Sequence, residues 1–489
     1  MTEHQRKNQR RESFKRLVQL GLSLVSVILQ LAVYYRVWYG YLRFEVWAYT
    51  GLRFWKNGNI LMLAIYAALL LMFTAMYGGL KIGYYRNTEI IFSQAFAMVF
   101  VNVITLLQIS LMMLHIVNIT YFGIMIGYDF VIIVVWTLIA GHIYSYLFPP
   151  KKMLLVYGDR PYEDIVTKFN SRKEKFRIRN TISYREGLEK VFDECSAGYD
   201  AVVIWDLPTE DRNKIFKYCY GSSIRVYIMP KITDVLLQGA DQMNLFDTPI
   251  MLIREYRMTV EERFFKRFFD IFFSLILIVL SSPFMLLTAL AVKLYDGGPV
   301  LYKQIRCTRN MKEFTILKFR SMRVDAEKDG VARLASKGDD RITPVGKFIR
   351  KVRLDELPQL FNILSGEMSF IGPRPERPEI IKQYMELMPE FEFRTKVKAG
   401  LAGYAQVYGK YNTTPYDKLK LDLYYIENYS LWMDMRLALL TLKILLTPDS
   451  TEGIDSTQIT AMKKADQELE EKRRRLDQEK NRKEKDNEE

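Results

Sequence analysis

Four long apolar runs near the start of the chain constrain its fold more than any other feature. They cover residues 17–38, 60–80, 95–116 and 130–148, and each is close to the ~20 residues that a helix needs to cross a bilayer. Residues 1–16 contain six Lys or Arg against two Glu, and such positive charge favours the cytoplasmic side. We therefore predict four transmembrane helices within residues 1–150, with both ends of this segment in the cytoplasm.

Two details of this segment carry further predictions. The short connection from Val117 to Thr120 predicts that the third and fourth helices form a hairpin. Asp129 lies at the edge of the fourth run. Because a charge inside the membrane is costly, we expect Asp129 at the level of the lipid headgroups rather than as a buried functional acid.

Composition and charge limit the partners of the chain. Hydrophobic residues make up 49% of the sequence, and 70 Lys or Arg against 56 Asp or Glu give a net charge of +14. Such charge suits nucleic acid or an anionic membrane surface. The apolar runs favour the membrane, and without a zinc-finger or RNP-type motif we predict no nucleic-acid partner. The three cysteines have no CxxC spacing, so neither a disulfide framework nor a zinc site is indicated.

Residues 151–255 alternate between strand and helix patterns. Four segments, MLLVYG, FRIRN, DAVVIWD and IRVYIMP, are typical of buried parallel strands, and the helix patterns between them cover 162–170, 185–195 and 210–220. This order predicts a small Rossmann-like α/β domain. Its first turn, GDRPYED, lacks the GxGxxG of dinucleotide sites. We therefore favour a structural or regulatory role, with sugar-nucleotide sensing as an alternative.

A fifth apolar segment, residues 268–292, is interrupted by Ser281-Ser282-Pro283. A straight crossing with a proline kink is one interpretation. However, residues 301–353 contain fifteen Lys or Arg against six Asp or Glu, which places both ends of the segment in the cytoplasm. The residues before the break reach only ~20 Å at ~1.5 Å per residue, short of a ~30 Å bilayer core. We therefore predict a re-entrant helix over 266–294 that bends at Ser282 and Pro283, where serine hydroxyls bind the freed carbonyls.

Adjacent carboxylates at Asp355 and Glu356 are the strongest candidates for chemistry. They precede Leu357-Pro358 and an apolar helix pattern that ends at Gly366, so we expect them at a helix N-terminus, which favours carboxylates and phosphates. Neighbouring helical residues face different directions and can hold different roles. A solvated acidic cap is the alternative. Basic residues flank the pair on both sides: Arg341, Lys347, Arg350, Lys351, Arg353, Arg374 and Arg377.

Several motifs in a fixed order accompany this pair. They are SSPF at 281, GPVLYKQIR at 298, KFRSM at 318, LDELPQLFN at 354, SFIGPRPE at 369 and AGLAGYAQVYG at 399. With these motifs, residues from about 266 to 446 resemble the bacterial sugar transferases, monotopic phosphoglycosyltransferases that act on polyprenyl phosphate. Large members of that family carry a four-helix membrane segment and an α/β domain ahead of the catalytic part. Thr308 and Met311 stand where the family has glycines, and Tyr404 where tryptophan is usual.

The resemblance implies a function and a site. Asp355 would attack a UDP-sugar, with release of UMP and a covalent phosphosugar intermediate that polyprenyl (undecaprenyl) phosphate then accepts. Glu356 would bind Mg²⁺, while Arg350 and Arg374 position phosphates. Arg320 and Arg377 are further candidates for phosphate binding, and attraction to anionic lipid is the alternative for Arg320.

The resemblance also implies a setting. The chain is expected to be a multi-pass protein of the bacterial inner (plasma) membrane, with a cytoplasmic and mostly helical catalytic domain over 262–447. The reaction would initiate exopolysaccharide, capsule or O-antigen synthesis, with glucose or galactose as the expected sugar; whether the chain forms a homo-oligomer is open.

Other expectations concern the end of the chain and competing functions. Residues 417–429 and 431–446 predict amphipathic helices, and the charged tail 448–489 predicts a solvated helix or disorder. A glycosyltransferase that releases UDP is one alternative function. A non-catalytic membrane scaffold for polysaccharide assembly is another.

Overall fold

A computed structural model describes residues 3–254, 258–324, 326, 339–386, 388–409 and 413–445. The chain is mostly helical with small sheets, and it divides into two compact units, Met1–Met229 and Pro230–Glu489. The predicted charged tail lies outside the described residues.

The first unit begins with long apolar helices. They are α1 (Glu3–Val37), α2 (Arg43–Thr50), α3 (Lys56–Tyr77), α4 (Asn87–Met113) and α5 (Ile119–Leu147). Within the part of the chain that the structure describes, five segments are long and apolar enough to cross a membrane: Phe14–Thr50, α3, α4 and α5 in this unit, and Val260–Asp296 in the second unit. Most of each predicted run is helical, although the second and third runs extend beyond the helix ends at Tyr77 and Met113. The first helical segment is longer than predicted, because a π-helical turn at Trp38–Leu42 continues it to Thr50.

The position of Asp129 differs from the prediction. Asp129 lies well inside α5 and is fully buried among the helices, so the expected headgroup-level position was wrong. The apolar-run criterion missed the start of the helix, since Ile119 begins α5 well before residue 130. The surrounding interior is partly polar: the Tyr66 hydroxyl donates a hydrogen bond to Asn102 Oδ1 at 2.9 Å.

The predicted strands form one parallel sheet in the first unit. They are β1 (Lys151–Tyr157), β2 (Phe176–Ser183), β3 (Ala201–Trp205) and β4 (Arg225–Ile228), in the order β2-β1-β3-β4. The helices are α6 (Glu163–Asn170), α7 (Leu188–Ser196) and α8 (Thr209–Gly221). Where β1 and β3 end, a Cβ on Gly158 would lie 2.0 Å from the Asp206 carbonyl oxygen. The two loops therefore close on each other at the edge where α/β sheets usually bind ligands.

The second unit contains the acidic pair. Its elements are α9 (Ile232–Gln238), the hairpin β5 (Asp241–Leu245) and β6 (Thr248–Leu252), α10 (Val260–Asp296), the antiparallel pair β7 (Leu301–Cys307) and β8 (Glu313–Phe319), α11 (Pro344–Lys351), α12 (Gln359–Ser365), β9 (Ser369–Ile371), α13 (Pro378–Met385), β10 (Gly400–Ala402), α14 (Tyr404–Tyr408), α15 (Pro415–Glu427) and α16 (Leu431–Leu445). The two C-terminal helices expected from the sequence are thus present as α15 and α16.

Helix α10 runs without interruption from Val260 to Asp296, across the predicted break at Ser282 and Pro283, and a bend there stays a prediction. Pro283 lies inside this helix, and proline has no N–H to donate to the carbonyl four residues earlier, that of Val279. The Ser282 hydroxyl donates to this carbonyl oxygen at 2.8 Å, which confirms the expected hydrogen bond for Ser282, whereas the Ser281 hydroxyl donates to Met285 Sδ at 3.5 Å.

Both ends of α10 contact the same folded body. Near its start, the Lys266 ammonium donates to the Ile371 carbonyl at 2.9 Å. Near its end, Val292 packs in a cluster with Phe319 and Ile349. The middle of the helix exposes large apolar side chains, including Val279, Leu280, Leu286 and Leu287.

Candidate active site

The acidic pair lies on a single 3-10 turn, Leu354–Glu356, between α11 and α12. Arg353 enters this turn with a φ of 58°, a left-handed conformation that few side chains adopt. Pro358 follows the turn and caps α12, which begins at Gln359. The sequence therefore located the pair correctly just ahead of a helix, while the turn itself was not predicted.

Glu356 is held by cations from three parts of the second unit. Its Oε1 lies 3.3 Å from Lys318 Nζ, 3.3 Å from Arg374 Nη2 and 3.8 Å from Arg353 Nη1. Burial raises the pKa of this carboxyl, but the charges of Lys318, Arg374 and Arg353 outweigh burial and lower it to about 2. Glu356 is therefore a carboxylate at every pH at which the protein would work.

Asp355 has a different environment. Its Oδ1 is buried and accepts no hydrogen bond from any residue that the structure describes. Burial, and then the charge of Glu356, raise the pKa of Asp355 to about 6, against the lowering effects of Lys318, Arg350 and Arg353. At neutral pH this gives an ionised carboxylate with an oxygen not engaged by described protein donors, which is what a nucleophile requires.

Asn362 on α12 holds the strand that carries Lys318. Its Nδ2 donates to the Thr315 carbonyl at 2.8 Å, and its Oδ1 accepts from the Leu317 N–H at 3.0 Å. Glu367 orients this amide, since Nδ2 also donates to its carboxylate at 2.7 Å. One side chain thus ties β8 to α12 and sets the position of Lys318 relative to the acidic pair.

A second charged cluster holds Arg374. Arg394 Nη2 donates to the Arg374 carbonyl at 3.0 Å and to Asp422 at 2.8 Å, and Arg394 Nη1 lies 3.5 Å from Glu376. Lys418 also donates to Glu376. Burial raises the pKa of Glu376, but Lys418 and Arg394 lower it to about 2.

Sequence reasoning missed this cluster. Arg394 and Asp422 are 28 residues apart, and no local motif joins them.

The start of α10 is bonded to the far end of α12. Arg267 donates to the carbonyls of Ile363 and Leu364 at 2.6 and 2.7 Å. These are among the last carbonyls of α12, which have no partner within the helix itself. Asp270 accepts from the Ser369 hydroxyl and the Phe370 N–H, both at 3.0 Å. The apolar helix and the helix that follows the acidic pair are therefore one hydrogen-bonded assembly.

The predicted arginines separate into two groups. Arg374 contacts Glu356 and Arg350 acts on the pKa of Asp355, so both lie at the pair. Arg320 is buried, donates to the Pro299 carbonyl at 2.7 Å and pairs with Asp296 at 2.7 Å. Arg377 immediately precedes α13 and lies near Arg306. Burial lowers the pKa of Arg306, and the positive charges of Arg374 and Arg377 lower it further. Phosphate binding by Arg320 and Arg377 stays a prediction, and the internal pairing of Arg320 does not favour it.

The acidic pair offers two carboxylates to a magnesium ion. The described residues contain no group of three or more His, Cys, Asp or Glu that could hold a metal. Mg²⁺ is commonly held by one or two carboxylates and completes its shell with water and substrate phosphate. The Asp355 oxygen that accepts no hydrogen bond from the described residues suits this donor set.

The residues that depart from the family pattern have defined local surroundings. Met311 has a φ of 59° and Asn310 a φ of 55°, conformations that glycine adopts without strain. Thr308 Oγ1 donates to the Glu367 carbonyl at 2.7 Å. The Tyr404 ring packs against Tyr424, with centroids 5.0 Å apart.

An acidic pair within a basic site is thus hydrogen-bonded, through α12, to a helix that is long and apolar enough to cross a membrane. The bacterial sugar transferase family model matches residues 261–448. The chain is 39% identical over 199 residues to a UDP-glucose:undecaprenyl-phosphate glucose-1-phosphate transferase of Caulobacter vibrioides, covering 40% of this chain and 73% of that protein. The chain belongs to the bacterial sugar transferase family.

Two longer relatives match more of the chain. A UDP-N-acetylgalactosamine-undecaprenyl-phosphate N-acetylgalactosaminephosphotransferase of Aeromonas hydrophila is 39% identical over 256 residues, which cover 51% of this chain and 59% of that protein. An undecaprenyl-phosphate glucose phosphotransferase of Komagataeibacter xylinus is 31% identical over 311 residues, covering 60% of this chain and 58% of that protein. The chain thus spans somewhat more than half the length of these two relatives.

Proposed function

We propose that this protein transfers a hexose-1-phosphate from a UDP-sugar to polyprenyl (undecaprenyl) phosphate and releases UMP. The observation that carries this proposal is the asymmetry of the acidic pair. Glu356 is neutralised by three cations, while Asp355 keeps a buried oxygen that accepts no hydrogen bond from the described residues. Family membership and the names of the relatives, which act on undecaprenyl phosphate, support the same reaction.

The transfer would occur in two displacements. An oxygen of Asp355 attacks the β-phosphorus of the UDP-sugar, and the bond from that phosphorus to the bridging oxygen breaks, so that UMP leaves with this oxygen. A phosphate oxygen of the polyprenyl phosphate then attacks the same phosphorus and releases Asp355. Two steps suit substrates from two phases, because the water-soluble donor and the lipid acceptor need not be bound together.

The surrounding residues would bind and orient the diphosphate. Arg350 acts on Asp355 and Arg374 contacts Glu356, and arginine suits phosphate because its planar donors bind two oxygens at once. Glu356, with Asp355, would hold Mg²⁺, which when bound neutralises charge on the diphosphate.

The membrane arrangement is also part of the proposal. We infer that α10 is re-entrant, because Lys266 at one end and Val292 at the other contact the same body while the apolar middle is exposed. The catalytic part would then lie at the cytoplasmic face of the inner membrane. The helices α1 to α5 would provide four crossings, followed by a Rossmann-like sheet with a structural or regulatory role.

Release of the nucleotide tests the reaction. The purified full-length protein is incubated with polyprenyl phosphate, Mg²⁺ and UDP-glucose, UDP-galactose or UDP-N-acetylgalactosamine. We expect UMP from at least one donor, a trapped phosphosugar adduct on Asp355, and neither product from Asp355→Asn. Release of UDP would establish a glycosyltransferase instead, and full turnover by Asp355→Asn would overturn the assignment of the nucleophile.

A further inference from the structure

Five basic side chains from separate segments converge at one end of the membrane helices of the first unit. We call this set the basic collar: Lys15 on α1, Lys81 and Arg86 in the connection between α3 and α4, and Arg172 and Lys175 in the turn between α6 and β2. None of these residues belongs to the candidate active site, which lies in the second unit.

Tyr84 is the centre of the collar. Lys175 Nζ lies 4.0 Å from the centroid of its ring, and Lys81 Nζ lies 5.4 Å from the same centroid. Arg172 Nη2 donates to the Tyr84 carbonyl at 2.8 Å. Arg86 Nη2 completes the connection, since it donates to the Ser171 carbonyl at 2.8 Å. The turn before β2 is therefore attached to the connection between two membrane helices.

The collar lies at the boundary of the apolar region. Lys15 lies just before the first apolar run, which begins at Leu17, and its Nζ lies 5.6 Å from the ring centroid of Phe148, directly after α5. Lys81 and Arg86 lie between the ends of two further candidate spans. Aromatic and basic side chains at this level are typical of the layer in which lipid headgroups lie.

The cations of the collar lie close enough to act on one another. Glu174 accepts from Arg172 at 2.6 Å, and Glu89 accepts from the backbone N–H of Arg86 at 3.3 Å. Burial, and then the charges of Arg172 and Lys15, lower the pKa of Lys175 to about 8, against the raising effect of Glu174. The ammonium groups are thus close enough to repel one another, and a bound anion would remove this cost.

We propose that the basic collar binds the phosphate of an anionic phospholipid headgroup, which fastens the sheet of the first unit to the bilayer surface. Phosphate suits the collar because its several oxygens can accept from lysine and arginine donors together. The lipid source follows from the position of the collar at the membrane boundary beside Phe148 and Tyr144. A site of this kind does not depend on the reaction proposed for the second unit.

The test measures lipid binding by the full-length protein in detergent. Native mass spectrometry counts bound dioctanoyl phosphatidylglycerol during a titration, with dioctanoyl phosphatidylethanolamine as the lipid without net charge. Lys15→Gln and Lys175→Gln should each weaken phosphatidylglycerol binding about fivefold, and together about 25-fold, since a basic residue at a membrane surface contributes about 1 kcal/mol. Phosphatidylethanolamine binding should not change.

Two control variants separate the charge from other effects. Lys175→Arg keeps the charge and should bind within about twofold of the wild type. Lys190→Gln removes an exposed lysine of the same unit that pairs with Glu186, and it should also have no effect. Unfolding temperatures measured without lipid show whether any variant has lost its fold. If a glutamine variant has done so, the preference for phosphatidylglycerol over phosphatidylethanolamine, measured on the wild type and on Lys175→Arg, decides instead.

Two results would overturn the proposal. One is equal binding of the two lipids by the wild type, or equal binding of phosphatidylglycerol by the wild type and the folded double variant. The other is displacement of phosphatidylglycerol by low millimolar inorganic phosphate, which would make the collar a site for free phosphate. Retention of the lipid in 50 millimolar phosphate, at constant ionic strength, would support the lipid source.

Discussion

The ammonium nitrogen of Lys318 lies 3.3 Å from Oε1 of Glu356, although 38 residues separate the two in the chain. Lys318 is on β8, and Glu356 is on the turn that precedes α12. The pair keeps Glu356 charged, and the charge of Glu356 in turn raises the pKa of its neighbour Asp355. The two carboxylates therefore differ in protonation behaviour although they are adjacent, as expected where two acids have separate roles.

The first step of the proposed reaction should depend on pH through Asp355. Its pKa is raised to about 6, so the nucleophilic carboxylate is lost as the pH falls through this value. We expect the single-turnover rate of UMP release to be constant above about pH 7 and to fall tenfold per pH unit well below 6. The measurement omits polyprenyl phosphate, whose own ionisation would otherwise contribute. An unchanged rate down to pH 4.5 would contradict this assignment.

Removal of the Lys318 charge should shift this pH dependence. Lys318 lowers the pKa of both Asp355 and Glu356. In Lys318→Gln the acidic side of the pH–rate profile, the acid limb, should therefore move to higher pH by about one unit, as expected for the loss of a nearby opposite charge. The same single-turnover assay measures the shift. Lys318→Arg keeps the charge and should leave the limb within a few tenths of a unit. A limb that moves downward in Lys318→Gln would rule out this electrostatic account.

Loss of the Asn362 amide should affect both stability and the site. Asn362→Leu leaves the Thr315 carbonyl and the Leu317 N–H without their side-chain partner, at a cost of about 1–3 kcal/mol for each buried group left unpaired. We expect a lower free energy of unfolding in denaturant and, because β8 carries Lys318, an acid limb shifted in the same direction as in Lys318→Gln. Phe361→Leu, at an exposed position on the same helix, is the control. A normal pH profile in folded Asn362→Leu would show that this side chain does not position Lys318.

The buried pair of Arg394 and Asp422 allows a double-mutant cycle. Their charged atoms lie 2.8 Å apart and both side chains are almost fully buried. Arg394→Leu should destabilise the protein by about 3–5 kcal/mol, because it leaves a buried carboxylate uncompensated. Asp422→Leu added to this variant should restore part of the loss, as measured by denaturant unfolding. Purely additive effects would mean that the two side chains do not interact.

Labelling with a membrane-impermeant maleimide tests the topology of α10. Val260→Cys and Leu294→Cys place exposed thiols at its two ends, and the native cysteines are buried. If α10 is re-entrant, both positions should react only after the cells are permeabilised. Leu114→Cys, between α4 and α5, is the control and should react from outside. Labelling of Leu294→Cys in intact cells would show that α10 crosses the membrane.

Local sequence patterns were sufficient to predict many of the helices and strands of this protein. The helices in the apolar runs, the positions of the four strands and the hydrogen bond of Ser282 beside Pro283 were correctly predicted, because apolar run length, strand patterns and proline geometry are each local to neighbouring residues. The acidic pair was also recognised, since its members are adjacent and lie within a known order of motifs.

Only the tertiary structure decided what each of these residues contacts. Three contacts join residues that are far apart in the chain: Lys318 with Glu356, Asn362 with β8, and Arg394 with Asp422. The burial of Asp129 likewise follows from the packing of helices around it. Sequence spacing carries no signal for such contacts, because they depend on which elements pack together. The difference in pKa between the two adjacent carboxyl groups is a consequence of that packing.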